Sequence, residues 1–183
     1  MKISETYRKY IVEINLCNFN GFVVWGADLE DVNENDVFLV SNDKIIFFND
    51  LKTMKDNILK YSNHYFDKHN FSEWVSTENF SEPYSKIDLS LLKLFDASIL
   101  IKETTALDLL DGINITQDFF NQIKDNDTVK LFESTPVADL KDYLYNKYFW
   151  ENTEEQKFKA DMDDLKVRLE KIYTLFTDHL AYV

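Results

Sequence analysis

Apolar and polar residues alternate along the first part of the chain with the two-residue period of β-strands. In residues 9–18 every second residue from Tyr10 to Leu16 is apolar, which predicts a strand with one polar face. Residues 21–28 are aromatic and β-branched and contain two glycines, which favours a short buried strand with a turn at either end.

A hairpin and a helix are predicted next. Residues 37–40 and 45–48 are β-rich runs separated by Ser-Asn-Asp-Lys, and Asn and Asp tolerate the left-handed geometry of tight turns. Asn49 or Asp50 then caps a helix. Its apolar residues recur every three to four positions, at Leu51, Met54, Ile58 and Tyr61.

The pattern changes in the second half of the chain. Residues 63–86 show no sustained period, so they are predicted to form an irregular connection between the halves. From Asp88 onward the spacing is helical, and Gly112 is expected to close one of these helices. Residues 129–133 suit a brief strand. Pro136 then marks the start of another helix, because proline fits a helix's first turn.

The C-terminal segment has the most regular spacing. Its apolar residues are separated alternately by four and three positions, at Phe158, Met162, Leu165, Leu169, Ile172 and Phe176. This spacing predicts an amphipathic helix of about 25 residues that begins near Asn152 or Thr153 and packs on the protein's own core. The same spacing could form a coiled-coil seam, but fewer than three heptads are present and His179 interrupts the seam.

These elements predict an α+β protein. A small, mainly antiparallel sheet with one helix is expected in residues 1–75, and a predominantly helical part in residues 76–183, either as two domains or as one continuous domain. The composition is 45% hydrophobic, which is sufficient for a core. There is no secretory leader and no apolar run of roughly 18 residues, so we expect a cytoplasmic protein that does not enter a membrane.

The charge balance narrows the choice of partner. The formal net charge is -13, from 33 acidic and 20 basic residues, and both halves of the chain are acidic. Such a surface repels nucleic-acid phosphates, whose binding needs clustered Lys and Arg. It attracts basic proteins and accelerates their encounter. A basic protein is therefore the expected partner, with no direct binding to nucleic acid.

One stretch, residues 27–36 (ADLEDVNEND), is strongly negative and is called the acidic ribbon below. Its acidic residues are Asp28, Glu30, Asp31, Glu34 and Asp36. An EF-hand starting at Asp31 fails, because Asp36 occupies the glycine position and Asn42 the final glutamate position. The ribbon is predicted to bind a basic partner, and the alternatives are a solvated loop or a casual divalent-cation site.

Other chemical signatures are weak. His64, Asp67 and His69 are possible zinc ligands, but their spacing matches neither a zincin nor a zinc finger, and exposed loop histidines are the simpler interpretation. No glycine-rich phosphate loop is present, and Cys17 follows strand-like residues as a small hydrophobic side chain. We therefore assign no catalytic residue, cofactor or metal.

An aromatic cluster near residue 150 is a candidate for contact with a partner. Its members are Tyr143, Tyr145, Tyr148, Phe149 and Trp150. On a helix these positions cover all sides, so one or two rings should lie outside the core, where Tyr and Trp are typical interface anchors. The alternative is that they cap the core beneath a loop.

Residues 36–59, DVFLVSNDKIIFFNDLKTMKDNIL, form a predicted strand, turn, aromatic strand and immediate helix. This arrangement resembles the β-β-α unit of small bacterial immunity proteins of polymorphic and contact-dependent toxin systems. The resemblance implies a cytoplasmic antidote that binds one toxin domain, such as a nuclease, and blocks its basic active-site cleft. The acidic ribbon would then face Lys and Arg of the toxin, with Trp25, or Tyr145 and Trp150, as the desolvated anchor.

Two other classes of function remain open from the sequence. A metal-dependent enzyme could use scattered carboxylates with His64 and His69, and a structural protein could oligomerise through the C-terminal helix.

Overall fold

A computed structural model describes residues 3–32, 35–61, 67–150 and 158–183. The packing divides the chain into two compact units, the first formed by Met1–Ile87 with Asp178–Val183 and the second by Asp88–Thr177. The sequence placed a boundary between residues 75 and 76. The first unit extends to Ile87 because residues up to 87 continue its helical and sheet packing, and the last six residues return to it.

Strands are concentrated in the first half and helices in the second. The strands are β1 (Lys9–Asn15), β2 (Asn20–Ala27), β3 (Asp36–Phe38), β4 (Val40–Ser41), β5 (Lys44–Phe47), β6 (Ser85–Asp88) and β7 (Leu180–Tyr182). The helices are α1 (Ile3–Tyr7), α2 (Leu51–Asn57), α3 (Lys68–Thr77), α4 (Ser90–Lys93), α5 (Glu103–Gln122), α6 (Asn126–Phe132), α7 (Thr135–Tyr148) and α8 (Met162–Asp178). The mixed α/β content and this order confirm the predicted class at the coarse level. The prediction of a single helix among the N-terminal strands is wrong, because α1, α2 and α3 all belong to the first unit.

The first unit contains two small sheets. One has the order β3-β2-β1-β6, and β2 pairs antiparallel with both β1 and β3. The other has the order β4-β5-β7, in which β7 lies parallel to β5 from Ile45↔Leu180 to Phe47↔Tyr182. The C-terminal strand therefore completes a sheet that begins near residue 40.

The β1–β2 hairpin forms where the two-residue period predicted strands. Its register runs from Lys9↔Gly26 to Asn15↔Asn20. Gly21 is required within it, because a Cβ atom there would collide with the ring of Phe47 and the carbonyl of Phe48. The predicted single polar face is wrong: both faces of β1 are largely buried, and even Glu13 is 8% exposed.

The β4–β5 hairpin confirms the predicted turn. Asn42 and Asp43 both have positive φ, 52° and 58°, the combination that suits a two-residue hairpin turn. Asp50 then caps α2 by accepting a hydrogen bond from the Thr53 N–H at 2.7 Å. The turn residues and the helix cap, which act over a few positions, thus determine the structure of this segment.

The prediction of an irregular connection over residues 63–86 is wrong for its described part. Helix α3 begins after Asp67, whose carboxylate accepts hydrogen bonds from the N–H groups of His69 and Asn70. Phe71 and Trp74 of this helix are fully buried in the core. This burial stabilises a helix whose own sequence has only a weak apolar period.

In the second unit α5 continues through Gly112, although this glycine was expected to end a helix. Gly112 does not have the left-handed φ of a helix C-cap, and it is buried. A Cβ atom built on it would lie 3.2 Å from Leu89 Cδ2, so its role is close packing.

The strand predicted at residues 129–133 is also wrong, because helix α6 covers most of this range. The carboxylate of Asp125 accepts a hydrogen bond from the Thr128 N–H at 3.1 Å and another from the Thr128 hydroxyl. At the other end Phe132 is buried, with its ring centroid 6.2 Å from that of Phe120. The cap and this burial override the β-propensity of the segment.

Helix α7 begins at Thr135, with Pro136 in its first turn as predicted. Helix α8 is shorter than predicted, since it begins at Met162. Asp161 stands at its start, and its carboxylate accepts hydrogen bonds from the N–H groups of Asp163 and Asp164. Phe158 continues the apolar spacing outside the helix by packing on Tyr143, with ring centroids 5.4 Å apart. The predicted start at residues 152–153 lies outside the described residues.

The apolar face of α8 packs within its own unit, as predicted. Its buried residues are Leu165, Leu169, Ile172, Tyr173 and Phe176. Within the described ranges no helix combines the length and the apolar character that a membrane span requires.

Candidate functional sites

The acidic ribbon forms the loop between β2 and β3. Asp28 accepts a hydrogen bond from the Glu30 N–H at 3.1 Å, and Asp31 accepts one from the Asn35 side-chain amide at 3.0 Å. Glu30 and Asp36 are exposed, and Glu34 lies outside the described residues. Part of the ribbon's hydrogen-bonding capacity is therefore used to hold its own turn.

A lysine of the protein itself lies beneath the ribbon. Lys9 is fully buried, and its ammonium group donates to the carbonyl oxygen of Ala27. Burial lowers the pKa of Lys9 to about 8, against the opposing attraction of Asp28, Asp67 and Asp36. Because Lys9 interacts with both ends of the ribbon, the ribbon presents less net negative charge to a partner than its sequence indicates.

A cavity opens beside the ribbon in the first unit and has a volume of about 310 Å³. We call it the aromatic cavity, and its lining residues are Arg8, Tyr10, Trp25, Asp36, Tyr84 and Ser85. Three rings form one wall: Tyr10 lies between Trp25, with centroids 6.0 Å apart, and Tyr84, with centroids 4.7 Å apart. An acidic and a basic side chain thus share a small site with an aromatic wall.

The backbone around Arg8 is constrained. Arg8 has a φ of 52°, a left-handed conformation that is unusual for a residue other than glycine. Its carbonyl accepts a hydrogen bond from the Ala27 N–H at 3.0 Å. Gly26 allows this close approach, because a Cβ atom there would collide with the Arg8 carbonyl. The β1–β2 pairing therefore fixes the conformation of Arg8.

The charges in the cavity act on one another. Desolvation raises the pKa of the Asp36 carboxyl, and the positive charges of Arg8 and Lys9 oppose that rise. Desolvation likewise raises the pKa of Tyr10, with further contributions from Tyr84 and Asp36. The indole N–H of Trp25 is buried and donates to no acceptor among the described residues. Trp25 was predicted as a partner anchor, and the structure places it in the cavity wall.

A second candidate surface lies at the C-terminal end of α7 in the other unit. We call it the α7 patch and define it as Asp139, Asp142, Tyr145, Asn146, Phe149 and Trp150. Phe149 is 57% exposed and Trp150 is 72% exposed. A shallow pocket of about 290 Å³ lies between Trp150 and the side chains of Asp142, Tyr145 and Asn146. Asp139 is exposed one helical turn before Asp142, so acidic and aromatic side chains follow one stripe of the helix.

Both lysines of α7 bind acceptors within their own unit. Lys141 donates to the side-chain oxygen of Gln117, and Lys147 donates to the Leu100 carbonyl at 3.0 Å. Lys147 also lies over the rings of Tyr143 and Tyr148, at 5.3 and 4.9 Å from their centroids. Lys141 is partly buried, whereas Lys147 is exposed, as are Asp139 and Asp142.

Tyr145 is fixed in position by its neighbours. Its hydroxyl accepts a hydrogen bond from the Asn114 side chain at 3.0 Å, and its ring lies 5.6 Å from that of Phe149. Tyr145 therefore links α5 to the α7 patch and positions the more exposed Phe149.

The histidines provide little support for a metal site. His69 has a side chain that is 85% exposed and lies 3.5 Å from Glu73, one helical turn away. His64 lies outside the described residues. Within the described part of the chain no three His, Cys, Asp or Glu side chains are grouped so that they could hold an ion.

The structure gathers the predicted site residues into two separate groups. Asp28, Asp36 and Trp25 lie around the ribbon and the aromatic cavity, whereas Tyr145 and Trp150 belong to the second unit. The sequence did not identify Arg8, Tyr10 or Tyr84 as site residues. Tyr10 appeared only as one apolar position of a strand, and its pairing opposite Trp25 depends on the hairpin register.

Comparisons with known proteins identify the fold alone. No protein family matches the sequence, and no curated protein matches it either. Among solved structures, the crystal structure of the C-terminal domain of SatS in complex with bromine is similar, with a TM-score of 0.66 and 12% sequence identity. The match covers 98% of this chain and 96% of that chain. The two chains share a fold, and at this identity the likeness carries no function.

Proposed function

We propose that this chain is an acidic, cytoplasmic binding protein that neutralises a basic protein partner, as an immunity protein neutralises its toxin. In this proposal the partner is a toxin domain, such as a nuclease, and the chain blocks its positively charged cleft. The exposed α7 patch is the observation that carries the proposal. No metal, cofactor or reaction of its own is needed.

The patch has the composition of an interface hot spot. Large aromatic side chains such as Trp150 and Phe149 contribute most binding energy when a partner covers them, and charged groups around them set orientation and the rate of encounter. Leaving two adjacent large rings exposed is unfavourable in water, and covering them would remove this cost. Asp139 and Asp142 beside the rings favour a partner that carries Lys or Arg.

The charge of the whole chain supports the same partner. Acidic residues outnumber basic residues in both units. Helix α5, which holds Tyr145 through Asn114, has four acidic residues and no basic residue along its length. A basic partner would be attracted to either unit and would then be retained by the aromatic contacts.

The resemblance in residues 36–59 adds weaker support. The structure has the β4–β5 hairpin followed at once by α2, which is the order expected for the β-β-α unit. Many unrelated proteins contain this unit, so it supports the proposal only together with the surface chemistry.

The first experiment tests the partner. The gene beside the one for this chain is examined for a toxin with a variable C-terminal domain, and that domain is expressed in bacteria with and without this chain. We expect growth arrest by the toxin domain alone, and restored growth together with a stable complex when both are expressed. The absence of such a gene, or growth arrest that this chain does not relieve, would contradict the proposed function.

The second experiment tests the surface. Trp150→Ala should raise the dissociation constant of the complex by about tenfold or more, as expected for a hot-spot residue. Val167→Ala is the control, since Val167 is 64% exposed and lies on α8. Calorimetry of the purified proteins measures both values. Tight binding that is unchanged by Trp150→Ala would retain the immunity function but reject the α7 patch as its interface.

A further inference from the structure

We propose that the aromatic cavity of the first unit binds a small zwitterion with a planar side chain, a free aromatic amino acid. Its carboxylate would pair with Arg8, its ammonium group with Asp36, and its ring would pack on the wall of Trp25, Tyr10 and Tyr84. This inference is independent of the proposed toxin partner, and the cavity and the α7 patch lie in different units.

The opposite charges of the lining select the class of ligand. A simple anion would be attracted by Arg8 and repelled by Asp36. A simple cation would be attracted by Asp36 and repelled by Arg8. The positive charge of Arg8 already acts on Asp36, and a ligand that carries both charges can contact both side chains at once. Amino acids are the commonest small molecules with an ammonium and a carboxylate on one carbon atom, so they match this pair of groups.

The wall selects a planar side chain. The Tyr10 ring is tilted by 39° to the Trp25 ring and by 54° to the Tyr84 ring, so the three rings make a continuous aromatic surface. Aromatic rings attract further rings in offset or edge-to-face arrangements. The volume of about 310 Å³ is at the lower end of ligand sites and has room for one amino acid.

The site is formed before any ligand arrives. The left-handed backbone of Arg8 is unfavourable for a residue other than glycine, and the Ala27 N–H and the close approach at Gly26 hold it in that conformation. Tyr84 is held beside β1, because its N–H donates to the Ile11 carbonyl at 2.8 Å. A site whose backbone and aromatic wall are already placed loses less conformational entropy on binding.

The pKa of Asp36 is consistent with its role as the partner of the ligand's ammonium group. Partial desolvation disfavours the charged carboxylate, and this raises its pKa. A bound ammonium group would add a further positive charge and a charge-assisted hydrogen bond, which favour the carboxylate form.

The test uses five ligands and the full chain. Calorimetry compares L-phenylalanine, its amide without the carboxylate, its N-acetyl derivative without the ammonium group, and the N-acetyl amide without either charge. We expect L-phenylalanine to bind best and the loss of either charge to weaken binding about tenfold or more. L-Alanine should bind more weakly than L-phenylalanine, because it has no ring for the wall. Equal binding of the four phenylalanine compounds, or no binding of L-phenylalanine at millimolar concentration, would overturn the proposal.

Two variants test which side chain binds each charged group of the ligand. Arg8→Gln should remove the preference for L-phenylalanine over its amide, and Asp36→Asn should remove the preference for L-phenylalanine over its N-acetyl derivative. Arg168→Gln and Asp56→Asn are the matched controls, since neither residue lines the cavity, and both should retain both preferences. Circular dichroism establishes that each variant is folded before binding is measured. A folded Arg8→Gln or Asp36→Asn variant with unchanged preferences would reject the assigned pairing.

Discussion

Single residues in this protein have roles that their positions in the sequence do not indicate. Lys9 opens a strand and would ordinarily be solvated, but it is fully buried with its ammonium group against the Ala27 carbonyl. Burial disfavours its charged form, and the nearby Asp28 and Asp36 offset only part of this effect. The alternation of apolar and polar residues in β1 was visible in the sequence. The burial of both faces of the strand was not, because segments distant in the chain pack on them.

Lys9 should make stability depend on pH in the alkaline range. Its pKa is about 8 in the folded protein and 10.5 for a solvated lysine in the unfolded chain, so the unfolded chain binds more protons between these values. The free energy of unfolding therefore rises with pH there, and the penalty for a charged Lys9 is fully present below pH 8. Relative to Lys9→Met, the wild-type protein should gain up to about 3 kcal/mol over this range.

Urea unfolding at several pH values measures this difference. Lys44→Met is the control, because Lys44 is exposed at the start of β5, and it should show no comparable trend. A difference between wild type and Lys9→Met that stays constant with pH would show that Lys9 titrates as an ordinary solvated lysine.

At the scale of elements, predictions were correct where local chemistry decides the structure. The Asn42-Asp43 turn, the Asp50 cap and the helix start at Pro136 each depend on residues within a few positions of one another. Predictions were wrong where a distant contact decides. Helix α3 depends on the burial of Phe71 and Trp74, and α6 depends partly on the burial of Phe132.

The cap of α6 can be tested directly. Asp125→Ala removes the acceptor for the Thr128 N–H and hydroxyl, and it should lower the free energy of unfolding by about 1–2 kcal/mol. Asp127→Ala is the matched control on the same helix, because Asp127 is exposed and pairs with exposed Lys130, and its effect should be smaller. Chemical denaturation measures both. If the two variants were equally stable, burial of Phe132 rather than the cap would hold the helix.

At the scale of the whole molecule, the surplus of negative charge governs encounters. Charges separated by more than about 10 Å act through water and are screened at physiological salt, so they affect association rates more than the lifetime of a complex. The acidic ribbon and the α7 patch should differ in this respect. Lys9 acts on the ribbon and Lys141 acts on Asp142, so each acidic group has a lysine nearby. The difference is expected because the α7 patch also contains the exposed rings of Phe149 and Trp150, which would lie in the contact itself.

We therefore expect the association rate with a basic partner to fall as ionic strength rises. At low salt, Asp139→Asn with Asp142→Asn should slow association more than the ribbon variant that combines Asp31→Asn, Glu34→Gln and Asp36→Asn. At high salt all three proteins should associate at similar rates, because the steering field is screened. Stopped-flow kinetics with the partner measures these rates. A larger effect from the ribbon variant would indicate that the ribbon, rather than the α7 patch, lies in the interface.

The sequence by itself determined the Asn42-Asp43 turn, the helix starts at Asp50 and Pro136, the acidic character, and that one or two rings near residue 150 lie outside the core. Periodicity, turn chemistry and charge are local or additive properties, so they can be read without coordinates. Only the tertiary structure decided that the C-terminal strand pairs with β5, that α3 enters the core, and that Arg8, Asp36 and Tyr84 line one cavity. These features join residues far apart in the chain, and their free energy comes from contacts that no local pattern specifies.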